Sequence, residues 1–508
     1  MAICLLTTAC QKDDQMADPS FLKPKSDQGR VVLGDKIPDP YSLTYMVPAF
    51  ENMKSAGFDF PFTTIDPTGY YVKVLVENDS VKNILTDDSS IVWFNYPLDY
   101  EVSEDGYYYE DADCVGNQEY LYAVIPVGYT LEVNCESTIL DSVFIPSDYP
   151  AQGEYETSFD ALEDEAYKLS GDTASCGSKS SNKVYRRATI TVKDDRLGEM
   201  VPLQGVRVKF KQHSKTAWGI TDSYGVAVSS KKFKSRYMIN YSIEWYRADW
   251  RIKEMPTSGR LKDAIFTGPL LSGDWTLPIS HNNPKLLMQA SVHKALLLTY
   301  YSSLWTIKKP TKRWGRKINV VCVDGESDIE GQVGHSNCSD NSSDEDVVIW
   351  KRKHGQSEDL TTDQLMAVTL HEMAHWSQYK RSGFLSLPSN CITESWAECV
   401  KWDIMTRYYR IPHTGYNGGI QDWNQNTEQN EDYSPLFIDL IDDYNQSRGN
   451  SEYPNDVISG YNLKFIQDSI IQDVFSYDLV TSNMFQHKRP GVTDAHLRQL
   501  LLKYDEVF

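Results

Sequence analysis

At 508 residues the chain is longer than one ordinary domain, and about two to four domains fit it. Hydrophobic residues at 41% and charged residues at 24% are the balance of a globular protein with real cores, which argues against disorder. A net charge of −21 with no long basic stripe argues against a nucleic-acid partner, and no apolar run is long enough for a membrane-spanning helix.

The first ten residues, MAICLLTTAC, are a short apolar run ending in small residues before Cys10. Thr7-Thr8-Ala9-Cys10 resembles the lipobox of bacterial lipoproteins, in which the signal is cut before the cysteine and that cysteine is acylated. Gln11-Lys12-Asp13-Asp14 is similar to the short acidic tag that sends some Gram-negative lipoproteins to the outer face of the outer membrane. The resemblance implies a signal over 1–10, lipidation at Cys10, membrane contact through that lipid only, and a surface-exposed outer-membrane lipoprotein; the alternative is a periplasmic protein. Residues 11–38 are polar, with Pro and Gly, and suit a tether. Seven further cysteines offer no CxxC pair, so a thiolate zinc site is not expected, and spacing alone does not give disulfide pairing.

Residues 39–170 read as an N-terminal α+β or mostly β region of unknown function. PAFENMKSAG predicts a short helix ended by Gly57, and YYVKVLVEN and SIVWFNYPLDYEV predict strands. A helix before a Gly/Ser-rich stretch suggests a boundary near 170–183. Over 184–250 the alternation is clean: Val206, Val208 and Phe210 alternate with Arg207, Lys209 and Lys211, which predicts a strand with one buried face. GVRVKFKQHSKTAWGITDSYGVAVSS resembles the carboxypeptidase-regulatory-like β-sandwich, with the turn at Thr221-Asp222-Ser223-Tyr224-Gly225. That resemblance implies a spacer without catalysis of its own. His213 reads as a surface histidine.

Residues 277–508 carry the chemistry. KINVVCV (317–323) and DVVIWKR (346–352) predict strands. The acidic loop between them (Asp324, Glu326, Asp328, Glu330, Asp340, Asp344, Glu345, Asp346) has the oxygens for calcium but no complete EF-type spacing, and is more simply solvated. TTDQLMAVTLHEMAHWSQYKR predicts a helix capped at Thr361 or Thr362. His371 and His375, four apart, project from one side and can chelate one zinc ion, with Glu372 beside it to take a proton from water. Residues 376 to 393 number 18, and Glu394 follows after a break at Gly383 and Pro388.

HExxH, 18 residues, Glu resembles the gluzincin metallopeptidases. The resemblance implies a zincin-like α+β domain, Glu394 as third zinc ligand, Glu372 as general base, Glu398 holding a ligand histidine, and an edge strand above the metal that pairs with substrate backbone, for which 346–352, carrying Val347 to Trp350, is the candidate. It also implies a downstream Tyr or His on the oxyanion, for which Tyr409, Tyr461 and His487 are candidates. Metzincins would need Gly and His where Gln378 and Arg381 stand, and the Gly-x-Met-Glu-Asn element of gluzincin aminopeptidases is absent, which favours an endopeptidase acting on protein or peptide. The rival expectation is a catalytically inactive zincin-fold surface lipoprotein that acts in adhesion or in glycan or protein binding. The expected whole is therefore multidomain: an N-terminal α+β or mostly β region, a central β-sandwich, and a C-terminal α+β metallopeptidase domain.

Overall fold

The computed structural model describes residues 29–114, 118–150, 152–172, 182–256, 261–312, 316–327, 332–338, 345–382, 390–411, 434–445, 447, 454–472, 474 and 476–504. Cys10, residues 11–28 of the expected tether, most of the Gly/Ser-rich stretch, Gly383, Pro388, and Asp328, Glu330, Asp340 and Asp344 of the acidic loop lie outside them; the expected tether ends too late at 38, because Val32–Lys36 is a strand paired with Tyr100–Glu104. The described chain is a mixed α+β protein of two compact units. One comprises 29–193 and 200–282; the other comprises 194–199 and 283–504. The six described cysteines carry no disulfide.

The N-terminal unit begins with β1 (Val32–Lys36), α1 (Leu43–Ser55), β2 (Gly69–Val76), α2 (Asp79–Asp87), β3 (Tyr100–Glu104), β4 (Glu119–Pro126), β5 (Ser137–Val143) and α3 (Glu156–Leu169). Ser42 caps α1 by accepting from Thr44 N–H. Gly57, at φ +89, lets the chain turn out of that helix. β2 is the middle strand of an antiparallel sheet with β4 and β5, and β1 pairs with β3. The stretch 90–102 does not form the single strand expected of it. Phe94 makes one bridge to Tyr122, and pairing resumes only at Tyr100, beyond Pro97, which has no N–H to give a ladder.

Ten strands follow in the same unit: β6 (Lys183–Asp194), β7 (Glu199–Pro202), β8 (Arg207–Gln212), β9 (Lys215–Ile220), β10 (Val226–Lys234), β11 (Ile239–Glu244), β12 (Trp250–Glu254), β13 (Lys262–Asp263), β14 (Ile265–Leu271) and β15 (Trp275–Ile279). One sheet runs β10-β6-β15 with β7 on β6; the other runs β14-β11-β8-β9. A Cβ at Gly219 of β9 would sit 2.3 Å from Val228 O of β10, so a side chain there would drive those two strands apart. The turn at 221–225 forms as expected. Asp222 Oδ1 accepts from Tyr224 and Val226 N–H, and Gly225 takes φ +74 against Ile190 O.

The basic face of β8 corrects the expectation of one buried face, because both faces are covered. Lys209 Nζ meets Trp93 O and the Glu244 carboxylate, and Lys211 Nζ donates to Leu98 O at 3.0 Å. Trp93 and Leu98 belong to the segment between α2 and β3, so the N-terminal region closes over the lysines. Burial outweighs the acidic partners and holds both lysines down at about 8. His213 is also covered more than expected, lying against Tyr167 with Nε2 3.0 Å from Asp172 Oδ2.

The C-terminal unit contains α4 (Pro284–Tyr301), β16 (Ile318–Glu326), β17 (Gly334–Ser336), β18 (Val347–Arg352), α5 (Thr362–Ser382), α6 (Asn390–Tyr409), α7 (Leu436–Asp439), the short α8 (Leu463–Phe465), which runs on as a wide turn over Ile466–Ile470, α9 (Tyr477–Gln486) and α10 (Asp494–Tyr504). α5 packs against both α4 and α6. β16 and β18 run parallel, and their apolar runs are buried on both faces. β18 is not an edge strand: β17 pairs antiparallel along it and is the outermost strand of the sheet. Asp324 and Asp346 of the acidic loop are matched to Lys351 and Lys312, and the backbone N–H of Asn319 also goes to Asp346.

The turn Asp194–Glu199 works as a clasp in this unit. Asp194 accepts from Lys294 of α4 at 2.7 Å and from the Tyr409 hydroxyl of α6 at 3.1 Å. Asp195 Oδ2 accepts from Thr362 N–H at 2.9 Å, while Asp195 N–H donates to Thr362 Oγ1. A carboxylate therefore sits at the N-terminus of α5, where the helix dipole and its unpaired N–H groups favour one. Gln364 reaches back to Thr361 N–H and completes the cap.

Candidate metal centre

The four-residue spacing on α5 puts the two imidazoles side by side: His371 Nε2 and His375 Nε2 are 3.0 Å apart. α6 crosses with Glu394, whose Oε2 is 3.1 Å from His371 Nε2 and whose Oε1 is 3.5 Å from His375 Nε2. All three residues are buried. The spacings provide a fit test. Ligands at about 2.0–2.1 Å from a tetrahedral zinc stand about 3.3–3.4 Å apart, the edge of that tetrahedron. The separations of 3.0, 3.1 and 3.5 Å lie on either side of that edge, with two imidazole nitrogens and the two oxygens of one carboxylate as donors.

Glu398, one turn beyond Glu394, places Oε1 2.9 Å from His371 Nδ1 and also receives Lys401. The carboxylate favours the ring proton on Nδ1 and so turns the lone pair of Nε2 toward the centre. Burial disfavours charge on the His371 ring, yet its contacts with Glu394 and Glu398 outweigh that and push it up to about 10. Glu398 is held down at about 2: burial opposes its charge, but Lys401 and His371 prevail. Glu394 is likewise lowered, against burial, by His375 and His371. The pocket thus has a field that favours a positive charge at the imidazole pole.

Glu372 points to the strand side. Ser336 Oγ of β17 lies 2.8 Å from Glu372 Oε2 and 2.9 Å from its backbone O, so one hydroxyl ties the carboxylate and the helix to the outer strand. Gly334 makes this approach possible, since a Cβ there would lie 2.4 Å from Glu372 Oε1 and 2.7 Å from Val368 Cγ1. His335, between them, has its ring pKa lowered by burial against the pull of Glu372. Sequence reasoning named none of these three residues. They sit on a three-residue strand, too short for a period to show.

His371, Glu372, His375, Glu394 and Glu398 are therefore brought together. The three oxyanion candidates are not joined to them. Tyr409 gives its hydroxyl to Asp194, Tyr461 accepts from Arg489 N–H at 3.2 Å, and His487 is exposed at the C-terminal end of α9.

No protein-family model matches the chain, and no curated protein matches it. Among solved structures, a crystal structure of (S)-allantoin synthase is 12% identical over 26% of this chain, with a TM-score of 0.13. The match spans 52% of that protein, about half its length, and a likeness this slight carries no argument.

Proposed function

We propose that this chain is a zinc-dependent peptidase of the gluzincin type, acting as an endopeptidase on protein or peptide. The observation that supports the reading is the triangle of His371, His375 and Glu394 at 3.0–3.5 Å, with Glu372 beside it on the same helix. A zinc ion held by those three residues would polarise a peptide carbonyl and make water a stronger acid. Glu372 takes the proton from the attacking water and delivers it to the leaving amine. Ser336 fixes the orientation of that carboxylate, and Glu398 fixes the His371 ring. The outer edge of β17 offers backbone groups with which an extended peptide pairs. In this reading 184–250 belongs to a carboxypeptidase-regulatory-like spacer and 277–508 to a zincin-like domain, and Cys10 carries a lipid at the outer-membrane surface. The lipid is checked by labelling cells with a fatty acid: Cys10→Ala should take up none, and a labelled mutant removes the anchor.

The reading is tested by metal content and casein cleavage of the purified chain, with and without a chelator, and by Glu372→Gln. The variant should keep its zinc and lose about 10²–10⁴-fold in turnover. Cleavage by the variant at the wild-type rate would remove Glu372 as the base, and a wild-type chain with neither zinc nor cleavage would leave the inactive surface-binding scaffold as the better account.

A further inference from the structure

The C-terminal unit holds a second group of potential ligands. Asp439 at the end of α7, Asp442 just after it, and Asp456 bring carboxylate oxygens within 4.8 Å of one another. All three are buried, Asp456 with 4% of its surface exposed. The Tyr504 hydroxyl of α10 donates to Asp439 Oδ2 at 2.5 Å, Tyr444 N–H to Asp442 Oδ1 at 3.3 Å, and Ile458 N–H to Asp456 Oδ1 at 2.9 Å. Asp456 Oδ2 is buried with no hydrogen-bond partner among the described residues. A carboxylate oxygen left without a donor inside a protein is costly, and it points to a ligand that the described residues do not supply.

We infer that Asp439, Asp442 and Asp456 form a calcium site, distinct from the histidine–glutamate centre. The donors are all oxygens, the set that hard cations take, whereas the first centre has the nitrogens that suit zinc. Oxygens on opposite sides of one calcium shell stand about 4.6–5.2 Å apart, twice a Ca–O length of about 2.3–2.6 Å, so the cluster fits inside one shell. Three protein carboxylates are part of the usual six to eight ligands, with water and backbone oxygens as the remainder. Burial first, then the charge of Asp442, pushes the Asp456 carboxyl up, against the pull of the Ile458 N–H. The ion would tie the 439–442 stretch to Asp456. It would also lie close to α6, where burial and the charges of Asp403, Asp442 and Asp439 push the Cys399 thiol up. α6 is the helix that carries Glu394 and Glu398, so calcium would brace the element behind the first centre. The inference does not depend on the peptidase reading.

The test uses the full chain, stripped of metal and reloaded with zinc alone, and then titrated with terbium and calcium. Tyr504, hydrogen-bonded to Asp439, is placed to sensitise terbium emission. One equivalent of terbium should light up, calcium should displace it, and calcium should raise the melting temperature. Asp456→Asn and Asp442→Asn should each weaken calcium binding at least about tenfold with zinc content unchanged. Three results would overturn the site: no sensitised emission and no calcium-induced rise in melting temperature of the wild-type protein, calcium binding unchanged in both variants, or an Asp456→Asn protein that melts higher than wild type at saturating calcium. The last would mean that the acids share protons and no cation. If one variant fails to fold, the wild-type titration and the other variant still decide.

Discussion

Glu394 and Glu398 stand one helical turn apart on α6, and their roles differ by which nitrogen of one ring they face. Glu394 faces Nε2 of both histidines, whereas Glu398 faces only Nδ1 of His371. Glu394→Ala leaves two histidines, too few to hold a catalytic zinc, so it should purify without metal. Glu398→Ala keeps the three donors but frees the ring, and should bind zinc about 10–100-fold more weakly with partial activity. Metal analysis of the two proteins checks this, and the reverse pattern would make Glu398 the ligand. This part of the site is legible in the sequence because chelation by one helix imposes a spacing of four and the returning helix carries the third donor. Ser336 is not legible: it lies 36 residues before Glu372 on a strand of three residues, and a lone serine carries no pattern. Asp439, Asp442 and Asp456 are hidden for another reason, since aspartates scattered through a polar stretch read as solvated until the fold buries them.

Among the elements, β17 differs most from its expectation. Its neighbour β18 has the longer β-branched run and reads as the edge, but a run that is apolar on both faces belongs inside a sheet, and the short polar strand takes the outside. The fit of β17 to α5 depends on Gly334. Gly334→Ala would place a methyl on the buried side chains of Glu372 and Val368, so either the strand or the Glu372 carboxylate must shift. We expect a melting temperature lower by a few degrees, zinc content unchanged, and casein cleavage reduced at least about tenfold, because β17 holds Glu372 through Ser336 and, in the proposed function, pairs with the peptide. A variant with wild-type cleavage would separate β17 from the reaction. The alternation in β8 was legible as a strand, but its charged face was not legible as buried. Composition marks lysine as solvent-facing, and only the approach of Trp93 and Leu98 supplies the carbonyls that cover it.

At the scale of the molecule, the N-terminal unit is held partly by buried ion pairs, which give it a pH dependence. Burial opposes charge on Glu163, but Lys215, Lys234 and the Tyr41 hydroxyl hold it down at about 2; Asp79 is likewise held at about 2, against burial, by Lys253 and Arg251. Both carboxyls titrate lower in the folded chain than in the unfolded one. Their stabilisation is therefore fully present above about pH 4.5 and is lost as the pH falls through about 2. The melting temperature of this unit should drop across that window. Glu163→Gln should lower stability at neutral pH by about 3–5 kcal/mol, since it takes the carboxylate from the buried Lys215, while Lys234 keeps Asp164, and should flatten part of the acid drop. An acid profile parallel to the wild type would remove Glu163 from the account. The clasp at Asp194–Glu199 has a consequence for how the molecule is made. These six residues leave the ribosome between two strands of the N-terminal unit, long before α4, α5 and α6 exist. Synthesis therefore sets out the anchor for Lys294, Thr362 and Tyr409 first and delivers the helices to it afterwards. A gene fragment cut at residue 283 encodes His371, His375 and Glu394 of the candidate metal centre and still lacks the piece on which its three central helices converge.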